Sequence, residues 1–124
     1  MPINRALKIA AHAALLFAAL TASASATDLT GKWRVTWAQN VNNTNNLDLT
    51  QSENRITGTY VNDAKENCRI TGTIDEAGTQ LALQVACKTW GIRMEGTVSV
   101  DRTTVSGNYA AYLDDKGTFV MKRR

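Results

Sequence analysis

Short runs in which apolar and polar residues alternate fill most of the chain beyond residue 30, and they restrict its fold more than any other feature. Alternation with a period of two is typical of strands that have one buried and one exposed face. No proline follows Pro2, and no window places apolar residues at helical spacing. Several such runs between turn residues are typical of an all-β sandwich or barrel. They predict eight strands, at residues 31–38, 46–51, 55–61, 67–75, 79–87, 91–100, 104–113 and 118–123.

The alternation also predicts how the fourth and fifth strands pair. An antiparallel hairpin that keeps their apolar faces together places Ile74 opposite Leu81. The same register places Cys68 opposite Cys87, although the cysteines play no part in choosing it. Opposed backbones in antiparallel sheets approach to about 4.5 Å, which is within reach of a disulfide. We therefore expect a structural Cys68–Cys87 disulfide rather than a redox or metal-binding pair, since the chain has no CxxC motif.

Turn residues predict the last two hairpins. A turn at DRTT pairs Val100 with Val105. A short bulged loop at DDKG, with Gly117 in the left-handed conformation, pairs Leu113 with Phe119. These registers complete a sheet in which each strand is antiparallel to the next one.

The predicted interior is almost wholly apolar, with two tyrosine hydroxyls as its only polar side-chain groups. The Asn-rich segment AQNVNNTNN, at residues 38–46, is predicted to be a polar loop. Eight strands closed on themselves leave room for packed side chains or one small ligand, and closure removes the exposed edges. The predicted fold is an eight-stranded antiparallel up-and-down β-barrel. Its inward residues are Trp33, Val35, Trp37, Leu47, Leu49, Ile56, Tyr60, Ile70, Ile74, Leu81, Leu83, Val85, Ile92, Met94, Val98, Val100, Val105, Tyr109, Leu113, Phe119 and Met121.

Glycine stands at the centre of five strand-like segments, where it is otherwise a poor strand residue. In the predicted alternation each of these glycines points inward beside a larger neighbour. Inward glycine lets a strand coil sharply and leaves room for the facing side chain, as a narrow barrel requires. The segments are LTGKW, ITGTY, ITGTI, MEGTV and VSGNY.

Residues 1–26 are predicted to be a secretory signal peptide. MPINRALK carries Arg5 and Lys8 without an acid, an apolar run too short to span a bilayer follows, and TASASA ends the segment. Cleavage fits after Ala26 or two residues earlier. The segment resembles bacterial signals in its length and alanine content. We therefore expect a periplasmic or secreted bacterial protein without stable membrane insertion, whose single domain spans residues 27–124.

Removal of the signal excludes several classes of function. Two of the fourteen basic residues leave with it, so twelve remain against eleven acids and the net charge is +1. Apart from the terminal KRR, basic residues are mixed with acids, whereas a nucleic-acid site needs a basic stripe. The only histidine, His12, also leaves, which removes His-dependent catalysis and His metal sites. We predict a non-catalytic binding protein with no cofactor, no metal and no nucleic-acid partner.

The segment LTGKW resembles the Gly-x-Trp signature of the calycins, the barrel superfamily of lipocalins, fatty-acid-binding proteins, avidins and bacterial metalloprotease inhibitors. The resemblance implies that Trp33 plugs one end of the barrel and that Arg123 or Lys122 packs across it. The segments LDLT and ITGTY extend a likeness to avidins over about the first third of the mature chain, with Tyr60 in the GTY position.

The size of the mature chain, its cysteine pair and its ending GTFVMKRR are similar to those of small bacterial metalloprotease inhibitors. This resemblance implies that an N-terminal arm contacts a protease. In this chain the arm would be Thr27 and Asp28, with Ser25 and Ala26 added if cleavage falls at the earlier position.

Two functions compete at this point. In the first, a packed barrel acts through its surface on a protein partner, for example as a hydrolase or protease inhibitor, and the apolar interior favours it. In the second, the barrel carries a small apolar ligand in the manner of a lipocalin or avidin, with Trp37, Tyr60 and Tyr109 as lining. The volume of the interior separates the two.

Overall fold

The computed structural model is a closed barrel of eight antiparallel strands. Each strand pairs with the next, and the last pairs with the first. The structure describes residues 28–124, so the predicted signal peptide and Thr27 lie outside the described residues. The eight-stranded up-and-down barrel predicted from the alternation is confirmed. Its strands are β1 (Gly31–Trp37), β2 (Asn40–Ser52), β3 (Arg55–Val61), β4 (Asn67–Ile74), β5 (Gln80–Ala86), β6 (Gly91–Val98), β7 (Thr104–Ala111) and β8 (Lys116–Arg123).

The predicted inward residues form one buried core, with two exceptions. Val100 is 98% exposed and Leu113 is 81% exposed, so both predictions are wrong. Each lies in a turn beyond the end of its strand. Outside a strand, alternation no longer indicates which side chains face the barrel interior. The core also contains two polar side chains, Asn45 and Asn62, so the interior is less apolar than predicted.

The register of the β4–β5 hairpin agrees with the prediction, since Ile74 pairs with Leu81. Cys68 and Cys87 lie just beyond the last paired residues and form a disulfide, with their Cα atoms 4.5 Å apart. The predicted disulfide is confirmed.

The last two hairpins differ in register from the prediction. Val105 pairs with Val98 instead of Val100, and Phe119 pairs with Gly107 instead of Leu113. The shifts are two and six residues. Because both are even, each strand keeps the same side chains on its inward face, and the alternation cannot distinguish the registers.

The β7–β8 turn is also built differently from the predicted bulged loop. A short 3-10 turn spans Tyr112–Asp114. Leu113 and Asp114, rather than Gly117, adopt positive φ angles, both of 60°. The turn therefore places an exposed leucine in a backbone conformation that residues with a Cβ rarely adopt.

The Asn-rich segment predicted to be a loop instead forms the first half of β2, so that prediction is wrong. β1 and β2 are joined by residues 38–39 alone, and a register shift next to Trp37 accommodates this tight connection. Asparagine is depleted in strands, but backbone pairing with β1 is open to every residue type. Pairing across the barrel therefore overrides the local preference.

Two glycines show why the barrel needs this residue. Gly31 has a φ of +139°, and a Cβ there would lie 3.1 Å from Nη1 of Arg123. Gly107 faces Gly96, and a Cβ on Gly107 would overlap the backbone carbonyl of Glu95. Strands β6 and β7 can therefore approach closely only because the pair is glycine.

Candidate functional site

One end of the barrel is sealed by an aromatic ring and a cation from the chain itself. Trp33 is fully buried, and its Nε1 donates a hydrogen bond of 2.9 Å to the carbonyl of Leu29. The guanidinium of Arg123 lies over the indole ring, 4.5 Å from its centroid. Arg123, rather than Lys122, therefore packs across the tryptophan at this end, which we call the closed end.

Backbone carbonyls from separate segments converge on Arg123. Its guanidinium donates to the carbonyls of Asp28, Thr30 and Arg102 at 2.8 to 3.1 Å. Arg102 in turn donates to the carbonyl of Gly78 at 2.7 Å. The two arginines thereby connect both ends of the described chain with the β4–β5 and β6–β7 turns, so the closed end offers little space to a ligand.

Asp28, the described part of the predicted partner-binding arm, takes part in this closure. Its carbonyl accepts a hydrogen bond from Arg123, and its carboxylate accepts one from the Thr30 amide at 3.0 Å. The described segment is therefore folded against the barrel. Thr27, the other predicted arm residue, lies outside the described part of the chain.

The opposite end holds an open cavity of about 410 Å³, which we call the mouth. It lies among the turns that join β1 to β2, β3 to β4, β5 to β6 and β7 to β8. All three residues predicted to line a ligand site are brought together here. The apolar and aromatic lining comprises Trp37, Tyr60, Ala64, Trp90, Ile92, Tyr109 and Ala111. The polar lining comprises Gln39, Asn43, Asn62, Asp63 and Asp115.

A buried asparagine fixes the tryptophan at the base of the mouth. Nε1 of Trp37 donates to Oδ1 of Asn45 at 2.8 Å. Nδ2 of Asn45 donates to the carbonyl of Val61 at 3.2 Å and to Oδ1 of Asp63 at 3.0 Å. Asn45 thus satisfies the indole and orients the Asp63 carboxylate, and its own hydrogen-bonding groups are already used.

Tyr109 packs on the other side of Trp37, with the ring centroids 4.8 Å apart in an edge-on arrangement. Its hydroxyl lies 2.9 Å from Oδ1 of Asp115 and 3.2 Å from Oε1 of Gln39, so its proton is shared between two acceptors. Burial, and then the hydrogen bond to Asp115 and the charge of that carboxylate, raise the pKa of the Tyr109 hydroxyl. The phenol therefore stays protonated and holds the turn against the ring.

Tyr60 also lines the mouth, and its hydroxyl is open to a ligand. The residue is 3% exposed and lines the cavity. Among residues 28–124, no hydrogen-bond partner is found for its hydroxyl. Burial, and then the charge of Asp63, raise the pKa of Tyr60, so the hydroxyl is neutral at physiological pH. A ligand in the mouth could therefore satisfy it.

Hydrogen bonds between the β3–β4 and β5–β6 turns fix one wall of the mouth. Asn62 donates to the Glu66 carboxylate at 3.0 Å and accepts from the Glu66 amide at 2.9 Å. The second carboxylate oxygen of Glu66 accepts from the backbone amide of Lys88 at 2.7 Å. The disulfide joins Cys68, at the start of β4, to Cys87 in the β5–β6 turn, so this wall is cross-linked by covalent and hydrogen bonds.

The sequence does not predict several of the residues that line or support the mouth. Asn45 is in phase with Leu47 on β2, and that signal could have revealed an inward polar residue. The sequence places Asp115 in the DDKG turn, and it gives no signal that brings Asp63 or Trp90 to the cavity. Their positions depend on how the loops fold over the mouth, for which the alternation carries no signal.

The comparisons with known proteins give no family for this chain. No protein-family model, no curated protein and no solved structure matches it.

Two further searches covered the described part of the chain. Within residues 28–124, no group of three or more His, Cys, Asp or Glu side chains is placed to hold a metal ion. The same residues contain no helix with the length and apolar character that crossing a membrane requires.

Proposed function

We propose that this protein is a calycin-like exported binding protein that holds a small, largely apolar ligand in its mouth. The cavity of about 410 Å³ is the observation that carries the proposal. Small-molecule sites commonly enclose about 300–1,000 Å³, with mostly apolar walls and a few placed polar groups. The mouth has this volume and this composition, with four aromatic side chains beside a few polar groups.

The proposal is for binding rather than catalysis. Hydrogen bonds of Asn45 and Tyr109 hold the shape of the mouth. The carboxylate beside Tyr109 raises the pKa of the phenol, which is the reverse of what activates a general base or nucleophile. The tyrosines of the mouth therefore supply packing and hydrogen bonds to a bound molecule.

Export is part of the same proposal. Disulfides persist in oxidising compartments and are rare in the bacterial cytosol. The Cys68–Cys87 bridge supports a periplasmic or secreted location, together with the signal peptide predicted at residues 1–26.

A neutral fluorescent probe, N-phenyl-1-naphthylamine, tests the proposal in the mature disulfide-bonded protein. We expect saturable one-to-one binding that shifts the indole N–H resonances of Trp37 and Trp90. Trp33, at the closed end, should not shift and serves as an internal control.

A pair of variants makes the test specific to the mouth. Ala111 is half-buried and lines the cavity, whereas its neighbour Ala110 is exposed on the outer face of β7. Ala111→Trp should weaken probe binding at least about tenfold by filling the space, and Ala110→Trp should leave it unchanged. No saturable binding, or equal binding by both variants, would show that the proposal is wrong.

A surface that binds a protein partner is the second candidate function. Tyr112 and Leu113 are 68% and 81% exposed at the tip of the β7–β8 turn, beside the mouth. Exposed apolar side chains of this kind can mark a protein contact. A panel of bacterial and host hydrolases, metalloproteases among them, should include one that the protein inhibits and that Tyr112→Ser/Leu113→Ser does not. If none is inhibited at micromolar concentration, this candidate fails.

A further inference from the structure

The two ends of the barrel place aromatic rings beside charges of opposite sign. At the closed end, Arg123 supplies the cation that lies over Trp33. At the mouth, four aromatic residues border the cavity, and the charged residues among them are Asp63 and Asp115. The lining includes no lysine or arginine among the described residues. The mouth therefore lacks the cation that its rings and carboxylates favour.

Each of the two carboxylates has an oxygen available to a ligand. Asp63 accepts from Asn45 through Oδ1, and Asp115 accepts from Tyr109 through Oδ1. Within the described chain, Oδ2 of either residue has no hydrogen-bond partner and neither carboxylate forms an ion pair. Both side chains are exposed at the rim, so the second oxygen of each carboxylate is accessible to a molecule in the mouth.

Tyr60 is an independent indication that a ligand belongs in this space. It is 97% buried, it lines the cavity, and its hydroxyl has no partner within residues 28–124. No buried side-chain N or O atom of the described residues lacks a hydrogen bond, so the Tyr60 hydroxyl keeps some exposure and is open to a ligand in the cavity that the residue lines. A polar group on the ligand, held near Asp63, would satisfy it.

We propose that the ligand is an organic cation, in which an amine or quaternary ammonium group is attached to an apolar body. The charge lies near Asp63 and Asp115, and the body fills the space bordered by the aromatic residues. Cations are attracted to aromatic faces and to carboxylates, and both attractions strengthen as the site excludes water. An anionic ligand would meet two like charges without a basic residue to offset them. This inference rests on the proposed function, since it names the class of the small molecule.

The test uses three probes that share one ring system and differ in charge: 2-naphthylmethylamine, 2-naphthylmethanol and 2-naphthoate. Calorimetric titrations at pH 7 would use the mature disulfide-bonded protein. We expect the amine to bind about tenfold more tightly than the alcohol, and the naphthoate to bind most weakly. The advantage of the amine should shrink in high salt, because salt screens charges at an exposed rim.

Two neutralising substitutions separate charge from shape. Asp63→Asn/Asp115→Asn keeps an oxygen at each Oδ1 position for Asn45 and Tyr109, so the walls of the mouth should be retained. We expect this variant to bind the amine and the alcohol with similar affinity, while its affinity for the alcohol stays at the wild-type value. Asp48→Asn, an exposed carboxylate on the outer face of β2, is the matched control and should change nothing.

The outcomes distinguish this inference from the function on which it rests. If the alcohol or the naphthoate binds as tightly as the amine, the ligand is not selected for positive charge and the inference is overturned, while binding in the mouth stands. An amine preference that persists in the double variant overturns it as well. If none of the three probes binds, both the inference and the proposed function are wrong.

Discussion

Aromatic residues lie at both ends of this barrel, but one end is closed and the other is open. At the closed end the aromatic Trp33 is covered by Arg123, and the guanidinium is hydrogen-bonded to backbone carbonyls. At the mouth Trp37 and Tyr109 are held by side chains of the barrel, but the cavity above them stays open. One aromatic cluster is covered by a cation of the chain, and the other borders an open cavity, which we propose to be a ligand site.

This difference suggests that residues at the closed end mainly stabilise the fold, whereas residues at the mouth mainly shape the proposed ligand site. Interactions at the closed end connect segments that are far apart in the chain, such as Asp28 and Arg123. Interactions at the mouth mostly orient side chains within neighbouring turns, as Asn62 does with Glu66. We therefore expect substitutions at the closed end to lower stability and substitutions at the mouth to lower binding.

The same substitution made at each end gives the largest expected contrast. Trp33→Ala should lower the free energy of unfolding by about 4 kcal/mol, because it removes a fully buried indole. Trp90→Ala, at the half-buried position in the mouth, should cost less than about 1 kcal/mol but weaken binding of 2-naphthylmethylamine. Denaturant unfolding and calorimetric titration measure the two effects.

If Trp33→Ala does not fold, Arg123→Ala provides a milder test of the closed end. It removes the cation and its hydrogen bonds and should cost about 2 kcal/mol. The neighbouring Arg124→Ala is the control and should be close to neutral, since its side chain is exposed. Equal effects of the two arginine variants would contradict the role assigned to Arg123.

Removing the disulfide tests whether one interaction contributes both to the stability of the fold and to ligand binding at the mouth. Cys68→Ala/Cys87→Ala should lower the free energy of unfolding by about 3 kcal/mol, on the chain-entropy account of a bridge with a sequence separation of 19. Because the bridge ties the start of β4 to the β5–β6 turn in one mouth wall, binding of 2-naphthylmethylamine should weaken as well.

Dithiothreitol provides the control for the disulfide. It should reproduce both effects in the wild-type protein and have no effect on the double variant, which has no bridge to reduce. A loss of stability without a loss of binding would mean that hydrogen bonds alone maintain the wall.

A substitution at the tip of the mouth should increase stability by a smaller amount. Leu113 is 81% exposed and has a φ of 60°, so the backbone holds a conformation that disfavours a Cβ. Leu113→Gly should raise the free energy of unfolding by about 1 kcal/mol. Leu113→Ala keeps the Cβ and should be close to neutral, so equal behaviour of the two variants in thermal unfolding would contradict the explanation.

The smallest expected effect is a pH dependence of the stability, which arises at the closed end. In the β4–β5 turn, backbone amides of Gln80 and Thr79 donate to Asp75 and lower the pKa of its carboxyl. The folded pKa thus lies below the unfolded value of about 3.9, so the stabilisation is present above that value and is lost as the pH falls through the folded pKa.

We expect Asp75→Asn to be less stable than wild type at pH 6, with a difference that disappears as the pH approaches 2. Thermal unfolding across this range measures it. A difference that does not depend on pH would show that the charge of Asp75 contributes nothing.

The sequence predicts the barrel well because inward and outward residues alternate along each strand. In the β4–β5 hairpin the alternation also gives the register, since the short turn leaves few alternatives. In the last hairpin it fails, because a shift by an even number of residues keeps Phe119 on the inward face.

The mouth is predicted less completely than the barrel. Trp37, Tyr60 and Tyr109 are found because they lie on strands and follow the alternation. Asp115 and Trp90 are brought to the cavity by the path of two turns, which depends on contacts with distant strands. Sequence patterns describe strand faces well and loop paths poorly, and this mouth is built from both.

The hydrogen bond of 2.8 Å between Arg123 and the carbonyl of Asp28 has a practical consequence. It places the two ends of the described chain side by side, on the side of the barrel opposite the mouth. An affinity tag, a fusion partner or a sensor surface attached at either end would leave the entrance to the cavity unobstructed. The same proximity suits the chain to circular permutation, with a short linker joining the two ends of the described chain.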